Sequence, residues 1–203
     1  MPRVADSEAL LSFWFGTAAR DPEACAERKQ VWFEGDAAFD RSLAEHFGDA
    51  AAAAARDELV DWTRSPREGL ALVLLLDQLP RNFHRESSEA FARDEQARAA
   101  AHACLEDGFD RELHPVEAAF LGLPFEHAED MSDQERSVAF FSALVPRADR
   151  AYRQIFQEFL AFAEAHREVI RRFGRFPHRN SLLGRSSTPE ERRFLEEHGR
   201  GFA

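Results

Sequence analysis

Lysine is almost missing from this sequence. Lys29 is the only one, and arginine supplies the rest of the 26 basic side chains. Cysteine is scarce as well. Cys25 and Cys104 stand far apart, form neither a metal-ligand pair nor a redox dithiol motif, and read as two small buried thiols in a reducing compartment. No apolar run reaches the roughly 18 residues of a transmembrane helix. The opening Met1-Pro2-Arg3-Val4-Ala5-Asp6 lacks the apolar stretch of a secretory signal, so the expected location is cytoplasmic. G-x-S-x-G, H-E-x-x-H, a phosphate-binding glycine loop and a dinucleotide fingerprint are all absent. Standard hydrolase, kinase and dehydrogenase chemistry therefore has no motif support, and neither a cofactor nor a metal is expected.

The remaining composition is that of a folded globular chain. Hydrophobic residues make up 44% of the 203 and charged residues 31%, which excludes wholesale disorder. A single domain over residues 1–203 is expected, large enough to need no metal or disulfide staple. Acidic side chains number 37 and the formal net charge is −11, so the average surface repels phosphodiester backbones and nucleic-acid binding is disfavoured.

Nearly every segment has helical period and helical punctuation, and none alternates long enough to compete as a strand. Asp6, Asp21 and Asp36 precede apolar-periodic runs as N-caps, with Pro22 at a first helical position. The run Ala50–Ala55 is expected to continue as a helix through Leu59, Val60 and Trp62. Ser65-Pro66-Arg67-Glu68 predicts a capping box before Leu70–Leu76, an all-round apolar helix that Pro80 should end. Ser88 is expected to open an alanine-rich helix to about Glu106. His114-Pro115 should start a short helix to Leu121, and Ser132-Asp133-Gln134-Glu135 and Thr188-Pro189-Glu190-Glu191 read as two further capping boxes. Between them, Pro146 can occupy the first turn of a helix carrying Tyr152, Ile155, Phe156, Phe159, Leu160 and Ala163. The fold class is all-α, and the short connections favour antiparallel neighbours.

Functional side chains concentrate in three segments at helix ends. The first is Asp77-Gln78-Leu79-Pro80-Arg81-Asn82, followed by His84 and Arg85. The second is Glu126-His127-Ala128-Glu129-Asp130. The third holds Arg175, His178, Arg179, Asn180 and Arg185; from His166 to Arg185 six arginines face the single acid Glu168, a net +5 within an acidic protein. Arg171 and Arg172 suit the negative end of a helix dipole. Arg175, Arg179 and Arg185 lie beyond the helix, where guanidinium forks hold a carboxylate or phosphate, or pin loops through Asp77, Glu126, Glu129 or Asp130. Asp77 opposes the dipole of the most apolar helix and so requires a partner, with Arg81, Arg179 and Arg185 as candidates. His127 could act as general acid/base if Glu126 or Glu129 orients it.

At these residues the chain resembles the bacterial family catalogued as domain of unknown function 924, whose members look like tetratricopeptide-type helical proteins. The resemblance rests on Phe13-Trp14-Phe15-Gly16, on Trp32-Phe33 with Asp36, Phe39 and Asp40, and on Leu76-Asp77-Gln78-Leu79-Pro80-Arg81-Asn82. It continues with Phe91-Ala92 and Asp94, with Pro124-Phe125-Glu126-His127, and with Phe173–Asn180, Leu183-Gly184-Arg185 and Ser187–Glu191. Two departures stand out: Gly122-Leu123 replaces an aromatic–methionine pair, and Ala128 replaces a serine. The resemblance implies about nine to ten helices stacked as antiparallel hairpins, and brings no reaction, cofactor or partner.

The leading expectation is a polar pocket for a small anion or an acidic peptide end, built from Asp77, Gln78, Arg81, Asn82, Arg175, His178, Arg179, Asn180 and Arg185. An enzyme using His127 with Glu126 or Glu129 in the same cleft is the first alternative. A protein-interaction module of tetratricopeptide type is the second, and RNA binding through the arginine segment ranks last. No membrane partner is expected.

Overall fold

Aspartate caps explain where the first three helices begin. In the computed structural model, which describes residues 6–199, Asp6 accepts the Ala9 N–H, Asp21 that of Glu23, and Asp36 those of Ala38 and Phe39. Each such cap is worth about 1 kcal/mol. They open α1 (Ser7–Phe15), α2 (Pro22–Phe33) and α3 (Ala37–Ala55). The signal-peptide reading of Met1–Ala5 falls outside the described residues.

The next elements are α4 (Pro66–Val73), α5 (Leu79–Phe83), α6 (Asp94–Glu106), α7 (Pro115–Glu126), α8 (Met131–Leu144), α9 (Arg153–Phe173) and α10 (Pro189–His198). No β-strand occurs among the described residues, and the fold is all-α. Five expectations shift in detail. The alanine run does not continue through Trp62: Asp57 takes a left-handed conformation at φ 58°, and Val60–Arg64 form a 3-10 turn. Ser88 does not open the alanine helix; Ser87 caps a short 3-10 turn, and α6 begins afterwards at Asp94. The helix after Pro115 runs past Leu121 to Glu126, carrying Pro124 inside it. Asp130 rather than Ser132 caps α8, accepting both the Ser132 and Asp133 N–H groups. Pro146 lies in the 3-10 turn Val145–Arg147 rather than in the first turn of α9.

Pro80 does not end its helix, and this matters most for the site. Residues Leu74–Gln78 form a π turn between α4 and α5, closed by the Leu79 N–H donating to the Leu74 carbonyl. Proline has no N–H to donate, and its ring would press on a carbonyl one α turn earlier. The wider π turn relieves that conflict, and the helical path runs on to Phe83.

α1 and α6 pack on α4, and α3 packs on α5. The pairs α6/α7, α7/α8 and α8/α9 follow as neighbours, the last two joined by short connections that return the chain antiparallel. Close approach is built in at two glycines. A Cβ at Gly69 would lie 2.5 Å from Cys104 Sγ, and one at Gly122 would lie 2.5 Å from the Phe140 ring. Trp14, Phe120, Phe125, Phe141 and Phe156 form the deepest layer of the core. Trp32 stacks on Trp14 and meets Phe120 edge-on, which fixes the C-terminal end of α2 beside α7. A smaller cluster of Val169, Ile170, Phe176 and Phe194 fastens the C-terminal segment to α9. Both cysteines are buried and free, and burial pushes each thiol up to about 11. No helix among the described residues is long and apolar enough to cross a membrane.

Candidate functional site

The π turn delivers Asp77 into the protein interior with no exposed surface. Its Oδ1 accepts a hydrogen bond from His127 Nδ1 at 2.8 Å, and its Oδ2 accepts one from Gln78 Nε2 at 2.6 Å. Arg81 Nη1 lies 3.3 Å from Oδ1 and also donates to the Asp77 carbonyl at 2.8 Å. Arg81 Nη2 reaches Asp94 Oδ1 at 2.9 Å, and Asp94 Oδ2 in turn meets Arg179 Nη1 at 3.3 Å. The Arg179 guanidinium is held between the Phe91 and Phe176 rings, 4.5 and 4.6 Å from their centroids. A continuous chain His127–Asp77–Arg81–Asp94–Arg179 thus joins the ends of α5 and α7, the start of α6 and the segment after α9. Two carboxylates face two guanidinium groups, so the cluster balances internally.

Burial alone would raise the Asp77 carboxyl. The Arg81 charge and the hydrogen bonds of His127 and Gln78 outweigh it and hold the group below the usual carboxylate range. An ionised Asp77 accepts only, so His127 carries its proton on Nδ1. Burial and the nearby Arg81 charge lower the His127 pKa, which keeps the ring neutral with Nε2 unprotonated. Burial and the Arg81 charge also bring Arg179 down to about 10. His178 falls to about 3 through burial and the Arg179 charge.

Two cavities adjoin at His127 and share it with Phe33 and His166. The smaller, about 190 Å³, has Gln78, Arg81, Asn82, Arg85, His178 and Arg179 as its polar wall and Trp32 and Phe91 among its apolar residues. The larger, about 560 Å³, is walled by Phe33, Leu123, Phe159 and Phe162, with Glu126 and His127 at one side and the Lys29–Glu158 ion pair at another. Glu126 is buried. Its Oε2 has no hydrogen-bond partner, and Oε1 lies 3.5 Å from His166 Nδ1. Burial, reinforced by the Asp77 charge, pushes Glu126 up to about 8.

The three segments singled out in the sequence therefore meet, but they divide into two groups. Gln78, Arg81, Asn82, His178 and Arg179 line the smaller cavity; Glu126 lines the larger, His127 lines both, and Asp77 sits behind them. Arg175, Asn180, Arg185 and Glu129 line neither. Arg175 forks onto Glu191 at 2.7 and 2.9 Å, and Asn180 donates to Glu191 and to Ser187. Arg185 forks onto Glu129 at 2.5 and 2.8 Å, donates to the Phe176 carbonyl and to Asn180, and Glu129 also accepts the Phe176 N–H. Glu129 is thus committed to Arg185, and the residue that orients His127 is Asp77. His166, Phe33 and Asp94 were not singled out as site residues. His166 sits inside the α9 period that the core explains, Phe33 is the last residue of α2 beside the buried Trp32, and Asp94 reads as a first-turn acid of α6. Asn82 and Arg85 both donate to Asp40 of α3, a second carboxylate held behind the wall. Among the described residues no group of His, Cys, Asp and Glu could hold a metal ion.

No functionally curated protein matches the chain. It is similar to a solved structure of a protein of unknown function, ATU0120, from Agrobacterium tumefaciens. The identity is 39%, the match covers 94% of this chain and 97% of that one, and the TM-score is 0.79. The profile of the family described as bacterial protein of unknown function (DUF924) spans residues 10–199, and the chain belongs to that family.

Proposed function

We propose that the smaller cavity binds the carboxylate or phosphate end of a small molecule, or the acidic end of a peptide. One observation carries this reading. The polar wall carries three guanidinium groups, of Arg81, Arg85 and Arg179, beside Gln78, Asn82 and His178, and no Asp or Glu lines it among the described residues. Asp40, Asp77 and Asp94 neutralise the arginines from behind and fix where their forks point. Arg179 Nε is buried with no hydrogen-bond partner, which suits an acceptor supplied by a ligand. Thermal shift against acetate, succinate, inorganic phosphate and an acidic tetrapeptide tests it. At a hundredfold excess over its Kd, a bound anion adds about 2.7 kcal/mol. Arg85→Ala should weaken the response, and no shift with any anion would overturn the reading.

A second reading, an enzyme with His127 as general base, is favoured by the 2.8 Å hydrogen bond that His127 Nδ1 donates to Asp77. The peptide-groove reading of a tetratricopeptide-type module has less support. Of the exposed large apolar residues Phe33, Val60, Phe162 and Leu183, Phe33 and Phe162 belong to the larger cavity and Val60 lines a different one.

A further inference from the structure

Glu126 and His127 are consecutive residues at the C-terminal end of α7, and both face the larger cavity. Their chemical states are opposite. His127 spends Nδ1–H on Asp77 and keeps a bare Nε2. Glu126 has an oxygen, Oε2, that is buried with no partner. An ionised carboxylate could not stay there unpaired, whereas a neutral acid has one O–H to give to an acceptor in the cavity. The other oxygen, Oε1, lies 3.5 Å from His166 Nδ1, whose proton goes to the Phe162 carbonyl at 2.9 Å. The pKa of Glu126, about 8, agrees with a carboxyl that holds its proton at neutral pH. Two adjacent groups driven to opposite protonation states are the usual signature of an acid and a base acting on one molecule.

We infer that the double cavity catalyses proton transfer at the carbon beside the carbonyl of a small oxo acid, with His127 as base and Glu126 as acid. This deepens the anion-site reading and rests on it. The carboxylate of the oxo acid occupies the smaller cavity beside Arg81, Arg85 and Arg179. The carbonyl oxygen takes the place that the Glu126 O–H lacks, and the apolar remainder lies against Phe33 and Phe159. In the step itself His127 Nε2 removes a C–H proton. The C–H electron pair becomes a C=C bond, the carbonyl π pair moves to oxygen, and that oxygen takes the Glu126 proton. The products are an enol, an imidazolium and a carboxylate, with no oxidant or metal needed. Reversal after the imidazolium exchanges with solvent returns the oxo acid labelled at carbon. Asp77 acts as a positioning residue, fixing the tautomer and sharing the imidazolium charge.

The test is proton NMR of pyruvate, α-ketobutyrate and α-ketocaproate in D2O with the full chain, following loss of the C–H signal beside the carbonyl. Exchange above the buffer rate for at least one acid is expected. Glu126→Gln and His127→Gln should each lower it by about a hundredfold or more while circular dichroism stays native-like. Asp77→Asn should lower the exchange rate at saturation and move its pH profile, which loss of packing alone would not do. Arg85→Ala should raise the half-saturating concentration instead. Thermal shifts with the same acids but no exchange overturn the inference and leave the anion site standing. Neither shift nor exchange overturns both. Exchange unaffected by Glu126→Gln and His127→Gln also overturns it.

Discussion

Two parts of this molecule are built from the same materials, arginines paired with carboxylates, and they do different things. Around Glu129 and Glu191, each fork closes on a carboxylate: Arg185 on Glu129, Arg175 on Glu191, with Asn180 and the Thr188 N–H filling further lone pairs. Around Asp77 and Asp94 the ions also balance. There the network stops short, leaving Glu126 Oε2 and Arg179 Nε without partners and His127 facing two cavities. The first region pins the segment after α9 to the start of α8 and α10. The second spends stability on an incomplete set of bonds. On the proposed reading, what separates a latch from a site is not charge density but unfinished hydrogen bonding beside open space.

The largest difference should appear on cutting each network at its centre. Asp77→Ala leaves Asp94 as the one carboxylate paired with the buried Arg81 guanidinium and strips His127 Nδ1 of its acceptor, and unfolding by urea should show a loss of roughly 3–5 kcal/mol. Glu191→Ala removes the acceptor for Arg175, Asn180 and the Thr188 N–H, and with it the return bond of the α10 capping box. Arg175 is partly exposed and water can take it up, so the cost should be smaller, about 2–3 kcal/mol. If Glu191→Ala proves the more damaging, the division into latch and site is wrong in its energetics.

The two regions should also titrate in opposite directions. The Arg175 hydrogen bonds, against a smaller opposing effect of burial, bring Glu191 down to about 2. Its stabilisation is present above the unfolded pKa near 4.5 and is lost as pH falls towards 2. Glu126 is raised to about 8, so its folded-state preference for the neutral form is complete below about 4.5 and is lost as pH rises through 8. Glu126→Gln keeps the neutral shape without the ionisation. It should be more stable than wild type by several kcal/mol at pH 8.5, about 1.4 kcal/mol for each unit by which folding raises the group, with most of the gap closing at pH 5. Urea melts at the two pH values check this. A constant difference would mean that Glu126 is not the group that titrates.

The helices were legible because their punctuation is local. Asp6, Asp21, Asp36, Ser65 and Thr188 announce caps within three residues, and the α9 periodicity is unbroken over five turns. Pro80 misled because the π turn that accommodates it leaves no residue-level sign in Leu74–Gln78. Ser132 misled because Asp130 starts the helix two positions earlier, accepting the Ser132 and Asp133 N–H groups and the Ser132 hydroxyl, and a carboxylate is favoured at a helix N-terminus. For the site, residue types were visible and pairings were not. Asp77 needed a cation, and Arg81 answers it one helical turn later, which spacing alone suggests. That His127 would add itself to Asp77, 50 positions away, while Glu129 turned to Arg185, depends on how α5, α7 and the C-terminal segment dock. His166 was hidden by the very periodicity that identified α9.

The smallest stability effect should be the most informative about binding. Arg85 lines the smaller cavity and is exposed, forked onto Asp40 at 2.7 and 2.9 Å. Exposed pairs of this kind contribute about 0–1 kcal/mol, because water replaces the lost partner at little cost. Asn82 still donates to Asp40 at 2.7 Å, so that carboxylate is not stranded when Arg85 is removed. Arg85→Ala should therefore melt within a few degrees of wild type. An anion in the cavity loses one of its three guanidinium neighbours, and a charge-assisted hydrogen bond is worth about 1.5–3 kcal/mol, which is roughly a tenfold to hundredfold rise in Kd for acetate or phosphate. Arg175→Ala in the latch should behave the opposite way, with stability falling and anion affinity unchanged. Isothermal titration beside thermal melts on the two variants reads both quantities. Two variants that lose affinity and stability in the same proportion would show that the arginines form one network, and that the boundary drawn between latch and site does not exist.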